Sequence, residues 1–321
     1  MNGKPVIWVD AKSVVNFKSN FSHKLLCDSL TFSSGSSCGF SCSFCYVEDL
    51  MRKNPHRIDN PEDHTKIVIR RRNPVEIVKE QLTKANGEPK FLNEEDRRVI
   101  YASPLVDVAA NMELARETVE VCKVILELTN WEIRLLSKSN LLPKIAEALS
   151  GYRSRMIYGV STGNLDDRLA AAYEQGTPKV SKRIESLWWL QDNGYRTFGM
   201  LCPSLPLGSD PDYDRFAVDC AKAIRADRCE HVWAEVINVR GESFERTKTA
   251  LKEAGFNAEA GWLEAVTYDK VAWEAYARKT FEAHAKVYQS QPGKLRFLQY
   301  VNKASQAEYW DKQVPRGAVL L

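Results

Sequence analysis

Apolar and polar positions along the chain change period repeatedly, and each change marks a new element. Residues 24–32 (KLLCDSLTF) offer Leu25, Leu26, Leu30 and Phe32 for burial and predict a first strand, which the turn 33–37 (SSGSS) ends. Further strands are predicted over 97–102, 131–136, 155–160, 197–202 and 231–237, with a last one over 295–300. Helix-period stretches lie between them. One starts at Asn73-Pro74, where the missing proline N–H costs nothing, and runs to residue 82. Another spans 111–128, with Leu114, Val119, Cys122, Ile125 and Leu126 as its buried stripe. A third is capped by Ser139 or Asn140 and stops before Gly151. Asn164 opens a short helix, Thr177-Pro178 opens one that closes at Gly194, and two more cover 213–226 and 268–288.

Strands alternating with helices require parallel pairing and right-handed crossovers. A doubly wound sheet would carry a glycine-rich phosphate loop after its first strand. This chain has cysteines there instead. Three segments are expected: an extension over 1–22 with a short strand at 6–9, a main α/β unit over 23–240, and a helical region over 241–321 packed on it.

Composition adds little to this outline. Of the 321 residues, 44% are hydrophobic and 27% charged, as in ordinary soluble globules. No run reaches the ~18 apolar residues of a membrane span, and the acidic Asp10 argues against a leader peptide. Eight cysteines without such a leader suit a reducing, cytoplasmic setting and metal or thiol chemistry. The net charge is +3, and its distribution is uneven. From Arg52 to Arg72, seven basic residues (Arg52, Lys53, Arg57, Lys66, Arg70, Arg71, Arg72) face three acidic ones, a local excess of +4. A polyanion such as a nucleic acid or nucleotide would meet it, and so would plain solvent.

The stretch 38–46 (CGFSCSFCY) concentrates the chemistry. Cys38, Cys42 and Cys45 can ligate three irons of a 4Fe-4S cluster and leave the fourth open. The competing readings are a zinc site completed by Cys27, His23 or His56, and buried free thiols. If the strands converge, their C-terminal ends line one cavity. Those ends carry Tyr101 and Ser103, Ser137 and Lys138, Ser161 and Thr162, Cys202, and Glu235 and Asn238. Small hydroxyls and a lysine there can bind a carboxylate, an amine and a ribose. Glu235 is either functional or paired with Arg240, since an acid is costly to bury alone. Cys122, Cys220 and Cys229 read as structural.

The cysteine motif resembles that of the radical S-adenosylmethionine (SAM) superfamily. Within it, CGFSCSFCY, IRLLSKSNLL (133–142) and VSTGNLDDRLAAAYEQGTPKVSKRIESLWWLQDNG (160–194) resemble the spore photoproduct lyase branch. The likeness covers residues 26–206, a little over half of the chain. It implies a partial (β/α)6 TIM-type barrel, with SAM bound at the open iron of a 4Fe-4S cluster. It implies SAM contacts from Ser103, Lys138 and Ser161, with Tyr46 beside the adenine. The implied activity is reductive cleavage of SAM to a 5′-deoxyadenosyl radical that takes hydrogen from a substrate. A nucleic acid or nucleotide is the expected substrate, with a protein or small metabolite as the alternative. The electron would come from a flavodoxin or ferredoxin. The branch's cysteine hydrogen donor, beside the serine after the second strand, is missing from Tyr101-Ala102-Ser103. Cys202 is the candidate replacement, and Tyr101 a candidate relay.

Overall fold

Alternation along the strands sends neighbouring side chains into two separate cores. The computed structural model describes residues 4–47, 50, 67–102, 104–239, 242–291 and 293–321. In β6 (Val99–Ala102), Ile100 and Ala102 join the large core beneath the helices, and Tyr101 turns the other way. In β7 (Glu132–Ser137), Ile133 and Leu135 point outward and Leu136 inward. β8 (Met156–Ser161), β9 (Arg196–Leu201), β10 (Val232–Ala234) and β11 (Leu295–Gln299) continue the pattern with Ile157, Phe198, Met200, Trp233 and Leu298 inward. β8 is buried along its whole length, as expected of a parallel strand covered on both faces. Gly159 makes room for a neighbour: a Cβ there would lie 2.2 Å from the Phe198 ring.

These strands belong to a nine-stranded sheet. Its remaining members are β2 (Val15–Asn16), β3 (Leu30–Phe32) and β12 (Ala318–Leu320), and the order is β12-β11-β10-β9-β8-β7-β6-β3-β2. All neighbours pair parallel except β2 and β3. Leu26 and Cys27 pack into the inner core, so the segment before β3 fills the hollow of a partial barrel. A smaller sheet joins β1 (Val6–Val9), β5 (Val68–Arg71) and β4 (Gly35–Ser37).

The helices cover the outer face: α1 (Pro74–Leu82), α2 (Met112–Leu128), α3 (Leu142–Ala148), α4 (Asp167–Tyr173), α5 (Val180–Asp192) and α6 (Tyr213–Ala223). Asn111 caps α2 by accepting from the Glu113 and Leu114 N–H groups. Beyond residue 241 come α7 (Ser243–Glu253), α8 (Asn257–Thr267), α9 (Lys270–Val287) and α10 (Ala304–Asp311). β11 and β12 lie in this same stretch and extend the main sheet.

Three expectations need correction. The first strand covers only Leu30–Phe32, because Leu25 and Ser29 take positive φ (55° and 63°) and break the extended backbone. The expected turn over 33–37 contains β4, where a Cβ on Gly35 would meet the Ile69 carbonyl oxygen at 2.3 Å. The sixth strand stops at Ala234.

Candidate active site at the C-terminal strand ends

The cysteine loop leaves β4 directly, with Gly39 (φ +74°) and Ser41 (φ 53°) making its turns. Lys4 donates to the Gly39 carbonyl (2.7 Å) and also contacts the Ser41 hydroxyl. On one side the end of α4 holds the loop. The Ser43 N–H donates to Tyr173 O (2.8 Å), Cys42 bridges Glu174, and the Gly176 N–H donates to Phe40 O (2.9 Å). On the other side α7 grips it. Arg246 donates to Ser43 O (3.0 Å) and Cys45 O (3.1 Å), and the Ser43 and Thr247 hydroxyls lie 2.8 Å apart.

Cys38, Cys42 and Cys45 are within electrostatic reach of one another. Burial pushes the Cys38 thiol up to about 11, with Asp107 and Cys45 adding to the rise. Burial also holds Cys42 well above the ordinary thiol range, Glu174 reinforces this, and Lys138 opposes it. Among the described residues, no three His, Cys, Asp or Glu side chains converge as ligands of a single metal ion. Cys27 lies apart from the three, on the wall of a cavity at the opposite end of the strands.

Asp107 organises the neighbouring strand end. It accepts from the Ser137 hydroxyl (2.6 Å), the Lys138 N–H (2.7 Å) and the Ala109 N–H (2.9 Å). Burial raises its pKa, while these hydrogen bonds oppose the rise. The Lys138 side chain then crosses the site. Its ammonium donates to Ser161 Oγ (2.7 Å), lies 3.8 Å from Glu174 and sits 5.2 Å from the Phe44 ring centroid. Glu174 in turn meets Arg183 at 2.5 Å, with both side chains only 1% exposed. Arg183 also donates to the Ser161 carbonyl (3.2 Å) and contacts the Thr177 hydroxyl.

The other expected residues divide. Cys202, just beyond β9, is half-buried. Burial pushes its thiol well up, Glu235 adds to this, and Lys24 and Lys138 oppose it. Tyr101 lies in the inner core, its ring tilted 31° to that of Phe21 at 5.5 Å between centroids, and burial raises its pKa beyond the ordinary phenol range. Tyr46 is 46% exposed, and its hydroxyl donates to the Pro104 carbonyl. Glu235 pairs with Lys24 at 3.4 Å. The Thr162 hydroxyl turns away to donate to Asn164 O (2.5 Å), which leaves Ser161 as the hydroxyl facing the site. Asn238 accepts from Ser243 through its carbonyl (2.9 Å). Ser103, His56, Arg240 and most of the basic run, including Arg52, lie outside the described residues. Arg70 withdraws from that run: it is 1% exposed and paired with Glu117 at 2.6 Å. Arg72 is 57% exposed and lies 3.4 Å from Asp10.

No family model and no curated protein matches the chain. Solved structures do. A cysteine-to-serine variant of spore photoproduct lyase aligns with a TM-score of 0.61 at 10% identity, over 91% of this chain and 81% of that one. Spore photoproduct lyase complexed with dinucleoside spore photoproduct aligns at 0.59 and 9% identity over the same shares. A doubly substituted variant with bound AdoMet and the dinucleoside aligns at 0.51 and 10% identity, over 77% of this chain and 66% of that one. The fold is that of spore photoproduct lyase.

Within that fold, Asp107, Glu174, Arg183 and Lys24 also pack around the candidate site, and the sequence pattern did not reveal them. Asp107 left one clue. It follows a strand by five positions and begins no helix, since Asn111 caps the next one. Glu174 and Arg183 look like ordinary helix-surface charges until the fold brings them together.

Proposed function

We propose that the chain is a radical SAM enzyme. A 4Fe-4S cluster would be held by Cys38, Cys42 and Cys45, with SAM at the open iron. The observation that carries the reading is the placement of the three-cysteine loop. It is pinned by α4 and α7 beside Lys138 and Ser161 at the C-terminal strand ends. A cube takes one thiolate per iron, so the sulfurs need not converge on a point, and thiols are its natural donors. Bound there, the cluster and SAM would supply a 5′-deoxyadenosyl radical for hydrogen abstraction.

The chain's own residues have the remaining tasks. Lys4 and Lys138 lie close enough to favour the thiolate forms of the loop cysteines. Lys138 and Ser161 offer a cation and a hydroxyl to a carboxylate or ribose, and Asp107 fixes the Lys138 backbone. Tyr46 flanks the adenine. Glu235 and Asn238 face the substrate or the SAM amine. Cys202 is the hydrogen donor, with Tyr101 packed behind it. Ser137 acts indirectly, through Asp107. For the substrate we favour a nucleic acid or nucleotide. Two of the similar lyase structures hold a dinucleoside, and basic residues follow the loop. A ferredoxin or flavodoxin would deliver the electron.

Anaerobic reconstitution followed by incubation with SAM and dithionite tests this reading. Release of 5′-deoxyadenosine by the wild type and by Cys122→Ala, but not by Cys42→Ala, is the expected result. A colourless, zinc-loaded protein that leaves SAM intact would overturn it.

A further inference from the structure

The end of the barrel opposite the cysteine loop opens into a cavity of about 500 Å³. Its wall comes from residues at or before the N-terminal ends of strands. Val99 begins β6, Arg134 and Arg296 lie near the starts of β7 and β11, and Asp28 and Ser29 precede β3. The two arginines are the notable lining. Arg134 is 5% exposed, yet neither it nor Arg296 forms an ion pair among the described residues. Both are anchored by main-chain carbonyls instead. Arg134 Nη1 donates to Leu26 O (2.6 Å) and, more weakly, to Leu25 O (3.3 Å), and Arg296 Nη1 donates to Leu25 O (2.7 Å). Both guanidiniums also sit over the Trp233 ring, 5.1 Å and 4.7 Å from its centroid.

Two cations held on one aromatic ring repel each other. Burial lowers the Arg296 pKa to about 10, with Arg134 contributing. His231, whose Nε2 lies 2.8 Å from Arg296 Nη2, is pushed down to about 4 by burial and by these cations, so it stays neutral. Two carboxylates lie nearby and offset part of this charge. Glu230 is bound to Arg196 at 2.5 Å and also acts on both arginines, while Asp28 lines the cavity, accepts from the Val99 N–H at 2.7 Å and favours the charged form of Arg134. Arg134 Nη2, Arg296 Nε and the Ser29 hydroxyl make no hydrogen bond among the described residues. A concave site with unspent planar donors and two guanidiniums against one lining carboxylate matches the chemistry of a phosphate group.

We propose that this cavity is an anion site that binds a phosphate group, either free or carried by a small phosphomonoester. Arg134 and Arg296 form its fork and Ser29 adds a hydroxyl. The site is separate from the cysteine loop, and its occupancy does not depend on a cluster or on SAM.

Calorimetric titration of the full chain with inorganic phosphate and with ribose 5-phosphate, at fixed ionic strength, tests the proposal. Saturable binding of at least one is expected. Tighter binding of ribose 5-phosphate identifies a phosphomonoester site, and equal or tighter binding of phosphate a free-anion site. Arg296→Gln, at a half-buried position, should weaken binding by about tenfold or more, the scale of one charge-assisted hydrogen bond. Arg134→Lys keeps the charge but loses the fork and should weaken it less. Arg215→Gln, on the exposed face of α6, should bind as the wild type does. Absence of saturable binding by the wild type would overturn the proposal. So would wild-type affinity in a folded Arg296→Gln, or equal weakening by Arg215→Gln.

Discussion

Lys24 and Glu235, 211 positions apart, meet as an ion pair of 3.4 Å at the mouth of the barrel. Their side chains are 23% and 17% exposed, so the pair is largely withdrawn from water. Lys24 also lies 5.5 Å from the Tyr300 ring centroid, and its carbonyl accepts from Trp233 Nε1 (2.8 Å). The segment before β3 is thereby tied to β10. Burial works against the Lys24 charge, but Glu235 and Tyr300 outweigh it and hold the lysine above its ordinary range. A base with a raised folded pKa stabilises fully below its unfolded value, about 10.4, and that contribution fades as pH rises through the folded value. Lys24→Met should therefore lower stability by about 1–3 kcal/mol at neutral pH, the cost of leaving a largely buried partner unpaired. Urea midpoints for wild type and variant should converge as pH rises above 10. A gap that widens with pH would contradict the assignment.

Asp107 gathers three donors, from Ser137, Lys138 and Ala109. In Asp107→Asn an NH₂ group replaces one acceptor oxygen and faces a donor, at a cost of about 1–3 kcal/mol. The hydrogen bond to Cys38 comes from the Asp107 main chain and survives the change, while loss of the carboxylate charge only eases the Cys38 thiolate. Iron loading should therefore hold while SAM affinity falls, because the Lys138 backbone loses its anchor. Equilibrium dialysis with labelled SAM measures this. Unchanged affinity in the iron-loaded variant would remove Asp107 from the site.

The central strands were legible because their physics is local. β6, β7, β8 and β9 alternate between two cores, and their apolar runs mark them to within about two residues. The first strand was overextended because Leu25 and Leu26 read as strand residues. Leu26 instead fills the hollow of the barrel, and Leu25 is 47% exposed at a positive φ. The cysteines and Lys138 were legible from spacing and from their place after a strand. Lys24, Asp107, Glu174 and Arg183 were not, because each acquires its role from a partner that only the folded chain supplies. Thr162 shows the converse: a hydroxyl beside Ser161 that the backbone turn consumes.

The Glu174–Arg183 contact should dominate local stability near the loop. Both side chains are 1% exposed, and the oxygens of Glu174 accept no well-aligned hydrogen bond despite the 2.5 Å approach. The contact is electrostatic, so removing one partner strands a buried charge. Glu174→Gln or Arg183→Met should each cost about 3–5 kcal/mol, and the double substitution should cost less than the sum. Denaturant titration of the four proteins gives the coupling. Additive losses would show that the two charges do not sense each other.

Gly176 lies where the backbone of the α4–α5 connection touches the cysteine loop. A Cβ there would stand 2.7 Å from the Phe40 carbonyl oxygen and 3.0 Å from that of Gly39, and backbone atoms cannot swing aside as a side chain would. The Gly176 N–H also donates to that Phe40 carbonyl, so displacement breaks a hydrogen bond as well. Gly176→Ala should leave the circular dichroism of the sheet and helices intact and cost about 1–3 kcal/mol as an overpacked contact. Its larger effect should fall on the loop, with iron retained per chain after anaerobic reconstitution dropping well below the wild-type level. Gly151→Ala, where a Cβ would meet nothing within 4 Å, serves as the matched control and should load iron normally. Full iron retention in Gly176→Ala would mean that the approach of α4 does not set the geometry of Cys38, Cys42 and Cys45.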